Sequence, residues 1–254
     1  MADLHNPSVG WTQQMRSGVW TLWVYPEVES TNILASKLPP WAAIRAERQT
    51  GGRGRHGRKW ESSAGGLWLS LVIPAPELRE QWEALPLTTG WVVMEMLTEL
   101  GIPSLRLRWP NDVMVKNQKL CGLLVERFSP QTAVIGIGLN VFNHPEQEDA
   151  ALKGLTARLE NFLPSPPDLN SLALNLCSRV QAMQETIATQ GWNVYREKIN
   201  RAWDKNRRVE CLLGENVARG FFQGVDEAGN LILKDDANAE LTLNASQVSL
   251  LREV

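Results

Sequence analysis

The segment between Gln49 and Gly66 has six glycines and no hydrophobic period, so the chain must cross it as one long loop. At its centre, residues 52–60 read GRGRHGRKW, in which glycines alternate with cations. Glycine lets the backbone approach an anion closely, and arginine offers a planar fork of donors to phosphate or carboxylate oxygens. The loop therefore indicates an anion cradle in an enzyme that handles an acyl or nucleotide phosphate group. The alternatives are a solvated basic loop and an RNA-contacting segment.

Composition sets this loop in an otherwise ordinary globular chain. The sequence has 254 residues, 43% of them hydrophobic, which suits one large domain or a domain with a small appendage. A net charge of −2 argues against the basic field that duplex-binding proteins carry. Cys121, Cys177 and Cys211 fit no metal spacing and no disulfide framework, and the first twenty residues contain no apolar run. We therefore expect a cytoplasmic protein without a signal segment, a membrane span or bound DNA.

The hydrophobic pattern predicts an α+β domain followed by a small all-β domain. Strands are predicted over residues 19–25, 42–46, 67–73, 105–108, 113–115, 120–127 and 132–140, and helices over 33–38, 87–100 and 169–188. The segment Ser30-Thr31-Asn32 is expected to open the first helix with a capping residue, and Gly101 to end the second. After Arg207 the pattern changes to short alternating segments joined by turn residues, as in a small β-barrel or sandwich. The predicted division is an N-terminal extension (1–18), a main domain (19–205) and a C-terminal β domain (206–254).

Three further patterns place polar or small residues where the predicted strands end or pair. Residues 109–112 read WPND, whose simplest interpretation is a stiff turn. Lys119 opens an apolar strand, either as a solvated edge charge or with its ammonium group facing a carboxylate or phosphate. Gly136 and Gly138 alternate along one strand and share a face, which indicates close approach of another group or tight sheet–helix packing.

In combination and in order, these motifs resemble those of the biotin protein ligases, also called biotin–[acetyl-CoA carboxylase] ligases. The motifs are STN at 30–32, Gln49, GRGRHGRKW at 52–60, WPND at 109–112, KLCGLLVE at 119–126 and GIGLN at 136–140. The resemblance extends from Trp20 to Leu251. It implies a mixed β-sheet catalytic domain of the biotin/lipoate protein ligase type, with helices on the sheet, and a small C-terminal SH3-like β-barrel.

The resemblance also implies a two-step ligation. The carboxylate of biotin attacks the α-phosphate of ATP, which forms biotinyl-5′-adenylate and pyrophosphate. A lysine of the biotin carboxyl carrier protein of acetyl-CoA carboxylase then displaces AMP. ATP and Mg²⁺ are the implied co-substrates, with the metal carried by the ATP phosphates rather than by a dedicated protein site. A monomer or a homodimer is implied.

The family's site residues transfer to three overlapping groups of positions in this sequence. The implied biotin contacts are Ser30, Thr31, Asn32, Gln49, Arg53, Gly54, Arg55, Lys119, Gly122 and Leu124. The implied ATP and adenylate contacts are Arg55, Trp60, Asn111, Asp112, Lys119 and Asn140. The implied catalytic cations are Lys119, Arg53 and Arg55, which suit a step that brings two anions together.

Some features depart from the best-known bacterial members. Arg108 stands where they have lysine before WPND, and no role transfers to Arg252. Only 29 residues precede Ser30, too few for a winged helix-turn-helix, so a monofunctional ligase rather than a repressor is expected. A lipoate or octanoate ligase, which shares the catalytic fold, is the nearest alternative. A nucleic-acid-binding module is the alternative from another class.

Overall fold

An eight-stranded mixed sheet forms the framework of the protein. The computed structural model describes residues 10–203, 205 and 207–254. The strands of this sheet are β1 (Gln13–Ser17), β2 (Trp20–Val28), β3 (Ala42–Gln49), β4 (Leu67–Pro74), β5 (Leu105–Arg108), β6 (Asp112–Val115), β7 (Gln118–Glu126) and β8 (Thr132–Leu139). Their order is β1-β2-β3-β4-β8-β7-β6-β5. Only β2 and β3 are parallel, and every other neighbouring pair is antiparallel.

Helices cover both faces of this sheet. They are α1 (Thr31–Ala35), α2 (Arg79–Glu99), α3 (Pro145–Glu148), α4 (Leu169–Gln190) and α5 (Asn193–Ala202). Because side chains alternate along a strand, Leu71 enters the main core beneath α2 and α4, while Val72 enters a smaller core beneath α1. Both faces of the central strands are therefore buried, as their continuous apolar sequences indicate.

A second sheet of five antiparallel strands forms the C-terminal part. Its strands are β9 (Arg208–Leu213), β10 (Asn216–Val225), β11 (Leu231–Lys234), β12 (Glu240–Leu243) and β13 (Leu250–Glu253). Their order is β12-β11-β10-β9-β13, and in the described chain the two edge strands do not pair with each other. The predicted α+β class with a small C-terminal β unit is confirmed. The five described strands pair as an open sheet, with β12 and β13 at its two edges.

Two polar contacts anchor the second sheet to the first. The buried Trp109 indole donates a hydrogen bond from Nε1 to the carbonyl of Gly229, at 3.0 Å. Arg106 of β5 forms a bidentate ion pair with Glu253 of β13, and Arg207 lies 3.3 Å from the same carboxylate. Phe222 and Leu233 of the second sheet also belong to the main hydrophobic core. The two sheets therefore share one core.

Some predicted elements differ from the structure in extent. Helix α2 begins at Arg79 rather than at 87, because burial of Ala84 and Leu85 in the main core outweighs the loss of a hydrogen bond at Pro86. Helix α1 begins at Thr31 rather than at 33, and Ser30 occupies its N-cap position, although the Ser30 side chain makes no capping hydrogen bond. Strand β1 lies within the predicted extension 1–18 and pairs with β2. The division into domains stays a prediction.

In the part of the chain that the structure describes, no helix is both long enough and apolar enough to cross a membrane.

Candidate active site

A cavity of about 270 Å³ opens on the α1 face of the large sheet, where the 49–66 loop and the C-terminal sheet meet. Every residue that the sequence nominated for binding or catalysis lines it. These residues are Ser30, Thr31, Asn32, Gln49, Arg53, Gly54, Arg55, Trp60, Asn111, Asp112, Lys119, Gly122, Leu124 and Asn140. The structure thus brings the predicted biotin and nucleotide contacts to one place, and the role of each residue stays a prediction.

The first turn of α1 forms the polar end of the cavity. Ser30, Thr31 and Asn32 are all buried. The Thr31 backbone amide donates to Gln49 Oε1 at 2.8 Å, and the Thr31 hydroxyl lies 3.0 Å from the same oxygen. Gln49 in turn donates through Nε2 to the Ser62 hydroxyl at 3.0 Å, and Ser62 donates to the Trp60 carbonyl at 3.0 Å. Hydrogen bonds therefore connect helix α1 to both ends of the glycine–arginine loop.

Glycines in β7 and β8 leave room for side chains to lie directly on the sheet. A Cβ atom added at Gly136 would be 2.6 Å from Asn32 Oδ1. Cβ atoms added at Gly138 and Gly122 would lie 2.7 and 2.9 Å from the indole ring of Trp60. The prediction of close approach at the alternating glycines is confirmed, and the approaching groups are side chains of the chain itself.

An ion cluster lies at the opposite end of the cavity. Asp112 Oδ1 is 2.5 Å from Lys119 Nζ, and Asp112 Oδ2 is 2.7 Å from a terminal nitrogen of Arg108. Burial alone would raise the pKa of the Asp112 carboxyl group, but the charges and hydrogen bonds of Lys119 and Arg108 outweigh it and hold the pKa below its ordinary value. Lys119 Nζ also lies 4.8 Å from the centre of the Trp60 ring. The carboxylate thus holds two cations at the cavity wall.

The loop cations bind backbone carbonyl groups of the segment that connects β12 to β13. Arg55 donates to the carbonyl of Ala245, and Arg58 donates to that of Ser249 at 2.6 Å. His56 Nε2 lies 3.1 Å from the carbonyl of Val248. Burial lowers the pKa of the Arg55 guanidinium, which nevertheless stays charged at physiological pH. These contacts hold the loop closed over the cavity.

Arg53 has a different partner from Arg55 and Arg58. Its guanidinium lies 3.6 Å from the carboxylate of Glu29, at the start of α1. The two arginines that the sequence grouped together therefore face different partners in this conformation.

Asn111 and Asn140 make bonds that position the backbone around the cavity. Asn111 Nδ2 donates to the carbonyl of Leu123 at 2.5 Å, and the Leu123 amide donates back to Asn111 O at 2.9 Å. Asn140 is buried, and its Oδ1 accepts a hydrogen bond from Asn143 at 3.0 Å. Among the described residues, no three His, Cys, Asp or Glu side chains converge as they would around a metal ion.

Sequence reasoning did not find three contributors to the site. Ser70 is fully buried behind Thr31 and Asn32, and Glu126 accepts a hydrogen bond from Asn32 at 2.7 Å. The segment 248–251 forms one wall of the cavity. The sequence did contain a sign that Ser70 is unusual, because it is the only hydroxyl residue in the apolar segment 67–73. The 248–251 segment had none, because its contribution to the loop contacts is made by backbone carbonyl groups.

The chain matches two families of known sequences. Residues 25–140 match the Biotin/lipoate A/B protein ligase family, and residues 206–251 match the Biotin protein ligase C terminal domain. The Bifunctional ligase/repressor BirA of Escherichia coli is 32% identical over 228 residues, which cover 84% of this chain and 69% of that protein. The Biotin–[acetyl-CoA-carboxylase] ligase of Mycobacterium tuberculosis is 32% identical over 216 residues, which cover 82% of this chain and 78% of that protein.

Solved structures show the same fold. The biotin protein ligase from Aquifex aeolicus, determined in complex with biotin and ATP, superimposes with a TM-score of 0.80 at 28% sequence identity. That alignment covers 92% of this chain and 99% of the Aquifex chain.

Proposed function

Because this chain belongs to the biotin protein ligase family, we propose that it activates biotin with ATP and transfers it to a lysine of the biotin carboxyl carrier protein of acetyl-CoA carboxylase. The observation that carries the proposal is the single cavity in which hydrogen-bonding groups at one end face cations at the other. Such a cavity suits a substrate that has a polar ring and a carboxylate, bound beside the triphosphate of ATP.

The first step joins two anions, and the cations of the cavity offset their repulsion. The biotin carboxylate oxygen attacks the α-phosphorus of ATP, and the bond to the departing pyrophosphate breaks. In this proposal Lys119 and Arg55, which both line the cavity, stabilise the charge that develops on the phosphoryl oxygens. Asp112 holds Lys119 in position at 2.5 Å before the phosphates arrive. Arg53 serves the same anions once it leaves Glu29.

The second step is acyl transfer to the carrier protein. The lysine amine attacks the carbonyl carbon of the mixed anhydride, and AMP leaves with the electrons of the broken C–O bond. Between the two steps, the intermediate must be kept from water and from stray amines. The loop supplies this protection, because Arg55 and Arg58 bind it to the segment that connects β12 to β13.

The proposed substrate contacts form two groups along the cavity, one for biotin and one for the nucleotide. Ser30, Thr31 and Gln49 hydrogen-bond the ureido ring of biotin, Asn32 supports them, and Gly122 and Leu124 border its apolar slot. Trp60 and Asn140 lie on the nucleotide side, and Gly54 lets the loop backbone approach the ligand. Mg²⁺ would be carried by the ATP phosphates, whose charge it would offset, and Asn111 and Asp112 would be the residues near it. A carboxylate at that place suits the metal, because hard cations prefer oxygen ligands.

Pyrophosphate release tests the proposal directly. The purified chain is incubated with ATP and Mg²⁺, and with biotin, lipoate or octanoate in turn. We expect release with biotin, followed by a biotin-sized mass gain on an added carrier domain. Release with lipoate or octanoate instead would keep the adenylation chemistry and reject the substrate, and release with none of the three would reject the activity.

The expected partner is the carrier protein, and the expected assembly is a monomer or a homodimer. We propose a cytoplasmic enzyme that docks its carrier protein at the cavity mouth and binds no DNA, as the net charge of −2 favours. A gel-shift experiment at physiological ionic strength tests the second statement, because a salt-dependent shift would contradict it. Sedimentation equilibrium decides between the monomer and the homodimer.

A further inference from the structure

Residues 155–157 form a short parallel pairing with the beginning of β7. The Lys119 amide donates to the Leu155 carbonyl at 2.8 Å, and the Ala157 amide donates to the Lys119 carbonyl at 2.9 Å. Thr156 is thereby bridged to Lys119, and residues bridged in this way share a face of the sheet. Ala157 enters the main core on the other face, so Thr156 faces the cavity, which it lines.

The Lys119 side chain extends from Thr156 along the sheet. A Cβ atom added at Gly122 would be 2.9 Å from Lys119 Cε and 3.0 Å from Nζ, so the ammonium group lies over that glycine. On β6, the partners of Lys119 and Gly122 are Met114 and Asp112, which are two residues apart. Two residues of a strand span about 7 Å, so the ammonium group lies about that far along the sheet from Thr156.

This order places different substrates on the two sides of the ammonium group. On one side, the Leu124 carbonyl accepts a hydrogen bond from Asn32 at 3.3 Å, at the end of the cavity proposed for biotin. In the proposed reaction, the carboxylate of biotin and the α-phosphate of ATP meet at the ammonium group of Lys119. The rest of the nucleotide must then extend away from Leu124, and Thr156 lies on that side.

The surroundings of Thr156 suit the uncharged nucleoside part of ATP better than its phosphates. Leu152 lines the cavity and is joined to Leu155 by a backbone hydrogen bond at 3.0 Å, and Pro145 lines the cavity as well. Both side chains are apolar, whereas the cations that can hold phosphates are Lys119 and the arginines of the long loop. The ribose, which is attached to the α-phosphate, would therefore be the part of ATP nearest to Thr156.

The hydroxyl group of Thr156 is free to bind a ligand. Among residues 10–203, 205 and 207–254 it has no hydrogen-bond partner, yet its oxygen is not shut off from solvent. A hydroxyl group can donate one hydrogen bond and also accept. A ribose hydroxyl has the same capacity, so the two groups can form a hydrogen bond in either direction.

We propose that Thr156 is a nucleotide-binding residue whose hydroxyl group forms a hydrogen bond with a ribose hydroxyl of ATP, so that the enzyme prefers ribonucleotides to deoxyribonucleotides. This inference rests on the proposed function, because it assigns a further substrate contact in the same cavity. The ribose and the α-phosphate are then held by Thr156 and Lys119, which are bridged to each other. That bridge fixes the spacing between the two contacts.

The steady-state kinetics of pyrophosphate release test this contact. Valine is branched at Cβ like threonine, so Thr156→Val removes the hydroxyl group and keeps the strand pairing. We expect this variant to raise the KM for ATP about two- to ten-fold, the range for one hydrogen bond, and to leave the KM for biotin unchanged. Thr156→Ser should restore most of the loss. Thr242→Val is the control, since Thr242 is an exposed strand residue of the C-terminal sheet.

Deoxynucleotides identify the partner of the hydroxyl group. The KM is measured for ATP, 2′-deoxy-ATP and 3′-deoxy-ATP with the wild type and with Thr156→Val. With the wild type, we expect one deoxynucleotide to have a KM raised by about the same factor as Thr156→Val raises the KM for ATP. With Thr156→Val, the KM values for that deoxynucleotide and for ATP should agree within about two-fold, because the hydrogen bond is already lost.

Four outcomes would overturn the inference and leave the ligase activity standing. Equal KM values of the wild type for all three nucleotides would do so even if Thr156→Val did not fold. An unchanged KM for ATP in Thr156→Val would also do so, as would a further rise in that variant with both deoxynucleotides. A loss that Thr156→Ser did not restore would mean that the substitution disturbs Lys119 through the backbone pairing. A wild-type protein that releases no pyrophosphate with biotin would overturn both the inference and the proposed function.

Discussion

The indole ring of Trp60 lies against the backbone of Gly138 so closely that a Cβ atom added at the glycine would be 2.7 Å from the ring. The same ring covers Gly122 and carries Lys119 Nζ 4.8 Å from its centre. A residue of the long loop therefore packs on two adjacent strands of the sheet. Trp60 thus packs the loop against the large sheet, while Arg55 binds it to the segment that connects β12 to β13.

Gly138→Ala should displace the indole and lower the free energy of unfolding by about 1–3 kcal/mol, the usual cost of overpacking. In a Trp60→Ala background the same change should have little effect, because the ring that the new methyl group meets is absent. Urea unfolding of the wild type, the two single variants and the double variant measures the coupling. If Gly138→Ala lowered the free energy of unfolding equally with and without the Trp60 ring, the new methyl group would strain another part of the sheet.

The Asp112 ion cluster should give a pH-dependent contribution to stability. Although burial opposes its charge, Lys119 and Arg108 hold the pKa of Asp112 below its ordinary value of 3.8. The carboxylate therefore stabilises the folded state above pH 3.8, and this contribution is lost as the pH falls through the lower folded-state pKa. Asp112→Asn should cost up to about 3 kcal/mol near pH 7, because it leaves two partly buried cations without their partner.

Urea unfolding between pH 3 and pH 8 measures this effect. The difference between the wild type and Asp112→Asn should be constant near neutrality and shrink as the pH falls below 3.8. Asp236→Asn is the control, since Asp236 forms an exposed ion pair with Arg208 whose loss should cost less than about 1 kcal/mol. A difference for Asp112→Asn that grew towards acid pH would contradict the assignment.

Arg55→Gly should separate formation of the adenylate from its retention. The variant keeps Lys119 and Arg53, so pyrophosphate release stays measurable, but the bond to the Ala245 carbonyl is lost and the loop opens more often. Gel filtration of enzyme loaded with labelled biotin measures how much adenylate stays bound. Lys59→Gly is the control in the same loop, because Lys59 is exposed and pairs with Glu61. Unchanged retention in Arg55→Gly would count against the role of the loop as a lid.

The cysteines should be unreactive in the folded protein. All three are buried, and burial raises the pKa of Cys177 to about 12 and that of Cys211 to about 11. Burial also raises the pKa of Cys121. Because the thiolate is the reactive form, iodoacetamide at pH 8 should label none of them until urea unfolds the chain. Rapid modification of one thiol in the native protein would show that its surroundings open to solvent.

Local patterns were enough to predict the α+β class, and the family resemblance carried by the motifs nominated residues that all line the cavity. Each motif, such as GRGRHGRKW or WPND, lies in one short segment whose composition carries its own signal. The helices and strands that were not predicted are β1, α3, α5 and β13. Strand β1 is largely exposed and polar, and β13 has only four residues, so each exists because a neighbouring strand pairs with it.

The sequence by itself determined which side chains can serve the site and the order in which they occur. The tertiary structure alone decided how they are oriented. Ser70 reaches Thr31 from 39 positions away and donates a hydrogen bond to its hydroxyl group. Arg55 finds its carbonyl partner 190 positions away. A backbone carbonyl is the same in every residue and leaves no mark in the sequence, so only folding reveals which carbonyl groups the loop binds.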